Sequence, residues 1–220
     1  MMQLILVRHA ETEWNIKGII QGQSDSALTP RGERQTSALL AAFAASDYRV
    51  DCVYTSPLGR AWQMGQRLAD HFRCPLIAEP ALKEQAFGQF EGMLTSQLMQ
   101  QRPHDAHALF THDAEYCPPE GESLAQATRR VTGFIHNLPE ATEHQRICIV
   151  THGQVSQGVL AVLKEGTIDN FSRYAHPNAS YSVFDFRDGK CLAIRWGIAT
   201  HLLQLDARTL NFICISAANK

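Results

Sequence analysis

Short apolar runs without polar alternation recur along the chain, separated by longer segments of helical periodicity. The first run, 3–7, reads as a strand covered on both faces, because a half-exposed strand would alternate. Residues 11–29 are polar, contain Gly18 and Gly22, and read as a long loop. Thr29-Pro30-Arg31-Gly32-Glu33 reads as a helix start: Thr29 as N-cap, Pro30 at the first helical position, Glu33 favouring the N-terminal dipole. That helix is predicted to end near Ala45. A second strand at 50–55 runs into Ser56-Pro57-Leu58-Gly59-Arg60 and a helix ending near Phe72, and 76–78 forms a third short strand. Ser123-Leu124-Ala125-Gln126 resembles a capping box that opens a helix to about Leu138. Residues 146–151 repeat the buried-strand pattern and end in His152-Gly153, with a helix predicted to about Lys164. Two β-rich runs at 180–186 and 191–196 flank Asp188-Gly189 and predict a hairpin.

Strands alternating with helices predict an α/β fold: a doubly wound, mostly parallel sheet with helices on both faces. The hairpin adds antiparallel character at one edge, on which a homodimer can form. Residues 86–120 fit no βα repeat and close on Pro118-Pro119; they predict an insertion over one face of a single domain spanning 1–220. The stretch 197–220 is weakly patterned.

Composition narrows the partners. The net charge of −2 provides no global field for nucleic acid or an anionic membrane. No apolar run approaches the roughly 18 residues that span a bilayer. The six cysteines, Cys52, Cys74, Cys117, Cys148, Cys191 and Cys214, form no CxxC pair and mostly read as small buried hydrophobes in a reducing compartment. A cytoplasmic protein is expected.

The chemistry gathers where strands end. Arg8-His9 ends the first strand, Arg60 lies just beyond the second, Glu84 follows the third, and His152-Gly153 ends the fourth. In open parallel sheets ligands bind at that end. Two guanidiniums and two imidazoles suit a phosphoryl group, whose oxygens match planar guanidinium forks. An imidazole can be the nucleophile, and a carboxylic acid can protonate the leaving alkoxide. No HExxH or Asp-rich cluster is present to hold a metal.

These motifs in this order resemble the histidine phosphatase superfamily, in its phosphoglycerate mutase-like branch. Arg8-His9-Ala10-Glu11-Thr12 with Trp14-Asn15 resembles the first motif, followed by Gln21-Gly22, Asp25 and Leu28-Thr29. Ser56-Pro57-Leu58-Gly59-Arg60-Ala61, Leu82-Lys83-Glu84, Phe87-Gly88-Gln89-Phe90-Glu91-Gly92, Pro119-Glu120-Gly121-Glu122-Ser123 and Val150-Thr151-His152-Gly153 continue the series. Ala10 departs from the glycine more common after the nucleophile.

The resemblance implies that His9 is phosphorylated and that Arg8 and Arg60 hold the phosphate. Asn15, Gln21, Gly22 and Gly153 then complete the phosphate site, and His152 stabilises the transferring group. Glu84 protonates the leaving oxygen and later deprotonates water. No metal and no cofactor are implied, and the partner is a small phosphorylated metabolite. The same residues serve a phosphatase or a phosphoglycerate mutase. Gln85 to Gly92 is similar to the phosphatase branch, where the mutases carry a Tyr-Gly-Leu pattern, and Gly22-Gln23-Ser24-Asp25-Ser26 resembles the broad-specificity phosphatases. An inactive phosphate-binding module is the remote alternative, because such modules lack one of the five central residues. Phe87, Phe90, Met93, Leu109, Phe110 and Tyr116 either line the substrate pocket or pack the insertion. His104, His107 and His112 read as a solvated polar segment, and Arg129-Arg130 as helix surface.

Overall fold

The computed structural model describes residues 1–141 and 145–205. The central sheet has six strands: β1 (Met2–Arg8), β2 (Cys52–Thr55), β3 (Leu76–Ala78), β4 (Arg146–Thr151), β5 (Tyr181–Arg187) and β6 (Lys190–Ile198), in the order β3-β2-β4-β1-β5-β6. β1, β2, β3 and β4 pair in parallel, and β5 runs antiparallel to both β1 and β6. One strand is therefore reversed, as the sequence resemblance implied.

The described residues form seven α-helices: α1 (Glu13–Lys17), α2 (Pro30–Ala44), α3 (Gly59–Phe72), α4 (Thr95–Gln101), α5 (Pro103–His107), α6 (Leu124–Ala141) and α7 (Gly153–Glu165). The strand pleat sorts side chains to two cores. Leu4 and Leu6 of β1, with Ile147 and Ile149 of β4, meet Val131 and Ile135 of α6 and Val155 and Val159 of α7. Ile5, Val7, Cys148 and Val150 point the other way, onto Leu39 and Phe43 of α2 and Met64 and Leu68 of α3. Both faces are covered, which is why the strands read as continuous apolar runs.

The helix ends follow local chemistry. Thr29 Oγ1 accepts from Gly32 N at 2.9 Å at the start of α2. Ser123 and Gln126 exchange hydrogen bonds at 2.8 and 3.1 Å before α6. The hairpin turns through Asp188 (φ 51°) and Gly189 (φ 73°), the two left-handed positions that a tight Asp-Gly turn needs.

Several details differ from the sequence reading. The 11–29 loop contains α1, whose Thr12–Asn15 capping box closes a turn too short to register as periodicity. β2 begins at Cys52 rather than residue 50. Of the described cysteines only Cys52 and Cys148 are buried; Cys74 and Cys191 are half-buried and Cys117 is exposed. Cys214 and the stretch 206–220 lie outside the described residues, as does the side chain of His112. His104 and His107 are exposed on α5, as expected. Residues 86–112 carry a small core of their own, with Phe90, Leu98, Ala106 and Leu109 closing on Ile20. Among the described residues no helix is long and apolar enough to cross a membrane.

Candidate active site

β1 carries Arg8 to its end and His9 one residue beyond, at the C-terminal edge of the parallel strands. His9 is buried, and its Nδ1 lies 2.7 Å from the Ala10 carbonyl oxygen. A carbonyl only accepts, so Nδ1 carries the proton and Nε2 keeps its lone pair. Burial, then Arg60 and Arg8, push the His9 imidazole well below its usual value, so the ring is neutral. Ala10 is itself buried and is not among the residues with positive φ, so no glycine is required there.

Arg8 donates through Nη1 to the His176 carbonyl, while its Nε has no partner among the described residues. Burial lowers its pKa to about 10, partly offset by Glu84, and it remains a cation. Gly153 explains how so large a side chain fits: a Cβ there would stand 2.9 Å from Arg8 Cζ. Arg60, in the first turn of α3, is 1% exposed. Its Nη1 donates to the Ser24 carbonyl at 2.7 Å and to Asp25 Oδ1 at 3.0 Å, and its Nη2 donates to the Gly22 carbonyl at 2.6 Å. Its Nε has no partner among the described residues. The guanidinium thus staples the 21–25 loop to the sheet. Gly22 takes φ 55°, and a Cβ there would collide with Glu91 Oε1. That carboxylate pins the same loop through the Gln23 and Ser24 amides, both at 3.0 Å.

Asn15 Oδ1 accepts from Thr12 N, Thr12 Oγ1 and Asn178 Nδ2, which turns its NH2 into the remaining donor. Gln21 Oε1 accepts from Ser26 Oγ at 3.1 Å, with the same consequence. Glu84 sits on the N-terminus of α7. Its Oε1 accepts from Val155 N at 2.9 Å and Gln85 N at 3.0 Å, and its Oε2 from Gln154 N at 3.0 Å. His152 packs beside His9, ring centroids 5.2 Å apart. Its Nε2 lies 2.8 Å from Ser56 Oγ, and its Nδ1 is buried without a partner.

Arg8, His9, Asn15, Gln21, Gly22, Arg60, Glu84 and Gly153 all line one pocket of about 190 Å³. His152 is the exception among the expected residues; it is fully buried behind His9. Among the described residues, no group of three or more His, Cys, Asp or Glu side chains is placed to hold a metal ion.

The model of the histidine phosphatase superfamily, branch 1, matches residues 4–199. The chain belongs to that superfamily. A Hydrogenobacter thermophilus protein named phosphoserine phosphatase 1 is 32% identical over 92% of this chain and 95% of its own length. A Proteus mirabilis protein named probable phosphoglycerate mutase GpmB is also 32% identical, over 91% of this chain and 92% of its own. The solved structure of Bacillus stearothermophilus YhfR superposes with a TM-score of 0.84 at 25% identity, covering 92% of this chain and all of that one. As a histidine phosphatase the chain is a phosphomonoester hydrolase by class.

Two other residues of the site, Asn178 and Arg130, carry no local sequence signal. Asn178, just before β5, donates to the His9 carbonyl at 3.1 Å as well as to Asn15. Arg130 is not the surface residue that its neighbour Arg129 suggests. It donates to the carbonyls of Ala81 and Lys83 at 2.7 Å and Glu84 at 2.9 Å, and it pairs with Glu122 at 2.5 Å. Glu122 in turn accepts from Ala86 N, so the pair fixes the loop that presents Glu84. Gln154 and Gln157, three apart on α7, share one helix face, a spacing legible in the sequence once His152-Gly153 is placed.

Three buried histidines of this histidine phosphatase couple its stability to pH. Burial holds His176 at about 4, and His9 and His152 are also well below the usual value. Each binds a proton in the unfolded chain near pH 6.5 but not in the folded one, so stability is complete above that pH and is lost as pH falls. His176 alone removes about 3 kcal/mol between its unfolded value of 6.5 and its folded value of about 4. Urea midpoints are therefore expected to fall steadily from pH 7 to pH 5. A flat profile across that interval would contradict neutral, buried imidazoles.

Proposed function

We propose that the chain hydrolyses small phosphomonoesters in two steps through a phosphohistidine at His9, without a metal ion. The observation that carries this is the neutral His9 ring, its Nε2 free, set between two buried guanidiniums with unpartnered Nε–H groups. In the first step the Nε2 lone pair attacks phosphorus, the ester P–O bond breaks, and Glu84 gives the leaving oxygen its proton. In the second, water attacks the phosphoryl group, its proton passes to Glu84, the P–N bond breaks, and inorganic phosphate leaves. Arg8 and Arg60 neutralise the phosphoryl oxygens throughout, and His152, packed beside His9 with its Nδ1 unpartnered, supports the same group. Glu84 must release one of its three backbone donors as it takes up this role, a tightening expected on substrate binding.

The relationship to a probable phosphoglycerate mutase keeps one other outcome in view, return of the phosphoryl group to the sugar acid. Incubation with 3-phosphoglycerate separates the two. Inorganic phosphate is expected to appear at least about tenfold faster than 2-phosphoglycerate, and chelators are expected to leave the rate unchanged. Faster isomer formation would assign the chain to the mutases. We also place the protein in the cytoplasm, on the ground of its five unpaired described cysteines.

A further inference from the structure

The wall of the pocket beyond the phosphate-binding residues has a distinctive chemistry. Ile19 and Ile20 from the turn after α1, with Phe87 and Phe110 from the 86–112 segment, form an apolar strip. The Phe87 and Phe110 ring centroids are 6.3 Å apart. Thr95, Gln154 and Gln157 are the polar groups. Arg8 and Arg60 are the only cations among the lining residues, and both are engaged with the phosphoryl site. The other lining acid-base groups are Glu84, which cannot attract an anion, and the His9 nucleophile.

The orientation of Gln154 sharpens this. Its Nε2 donates to the Leu109 carbonyl at 3.0 Å, delivered by the π-helical turn of residues 108–112. That bond commits one of its two N–H donors, so the amide offers a ligand its Oε1 acceptor and a single neutral N–H, and no cation. Cations on the surrounding elements are held by their own acids. Lys17 pairs with Glu13 at 3.7 Å, and Arg102 pairs with Asp105 at 3.8 Å while lying over the Phe90 ring. A carboxylate brought into this wall would lose water and meet neutral donors but no further guanidinium or ammonium.

We propose that the site selects esters whose leaving group is uncharged, an alcohol or phenol with an apolar face and a hydroxyl or N–H donor, and discriminates against esters bearing a carboxylate near the phosphate. This rests on reading the pocket as a phosphomonoesterase site. It separates the chain from the serine and glycerate esters in its relatives' names. The volume of about 190 Å³, small beside the roughly 300 Å³ and more of drug-sized pockets, makes the first atoms of the leaving group decisive.

Two matched pairs test the proposal: phenyl phosphate against 4-carboxyphenyl phosphate, and glycerol 3-phosphate against 3-phosphoglycerate. In each, kcat/KM is expected to be roughly 30-fold higher for the neutral member. Equal values, or a preference for the acid, overturn the proposal. Should no ester turn over, the hydrolase reading fails, and the selectivity is then read by calorimetry of the same pairs on His9→Ala. Tighter binding of the neutral members upholds it there, and equal, reversed or undetectable binding overturns it. Gln157→Arg is expected to raise kcat/KM for the carboxylated members about tenfold relative to their partners. An unchanged ratio would show that this wall does not set selectivity.

Discussion

His9→Ala is expected to abolish turnover, lowering kcat/KM on an aryl phosphate by at least about 10,000-fold, the scale seen when a nucleophile that forms a covalent intermediate is removed. The loss should be all in chemistry. The variant keeps Arg8 and Arg60, so inorganic phosphate should still bind. The fold should also survive, because the ring is held through one side-chain hydrogen bond to Ala10 and sits, neutral and desolvated, against two guanidiniums. Removing a neutral ring breaks no charge pair and leaves a cavity at the pocket. Circular dichroism and thermal melting check the fold, and rapid acid-free quenching of labelled ester checks the intermediate. Wild type should hold label on histidine and the variant none. Activity within tenfold of wild type would remove His9 from the nucleophile's role.

Much of this site could be read from the chain because its parts are local. The bounds of β4, 146–151, are legible since both of its faces are buried and its sequence has no polar break. The α2 cap, the α6 capping box and the Asp188-Gly189 turn each depend on residues within four positions of one another. Arg8, His9, Arg60, Glu84 and His152 were placed together because parallel strands must end on one rim. The supporting contacts escaped for the opposite reason. Arg130 reaches carbonyls 46 to 49 residues away, and Asn178 bonds to His9 169 residues away. No window of sequence holds both partners. The apolar residues of the 86–112 segment also divided in a way periodicity could not foresee. Phe90 and Leu109 are buried in its own small core, whereas Phe87 and Phe110 contribute both to that core and to the pocket wall.

Arg60 is where catalysis and folding meet, and its replacement should damage both. Arg60→Ala leaves the carbonyls of Gly22 and Ser24 without their donor. An orphaned acceptor costs about 1–3 kcal/mol, so the two give a loss of roughly 2–6 kcal/mol, toward the lower end because Ser24 is only half-buried. Asp25 adds little, because it is 39% exposed and keeps the Gly59 and Arg60 amides as donors. The upper range for breaking a buried ion pair therefore does not apply. Most domains have about 5–15 kcal/mol to lose, so the variant should fold at 25 °C and unfold at lower urea. Its kcat/KM should fall about 1,000-fold, since one of two cations on the phosphoryl oxygens is gone and the loop carrying Gln21 and Gly22 is released. Arg60→Lys separates the two effects. A lysine keeps the charge but cannot span two carbonyls and a phosphoryl oxygen in one plane. It should recover part of the stability while kcat/KM stays about 100-fold down. If the lysine variant instead works at more than half the wild-type rate, charge alone suffices and the planar fork is dispensable. If Arg60→Ala is as stable as wild type, the 21–25 loop is held by Glu91 rather than by Arg60.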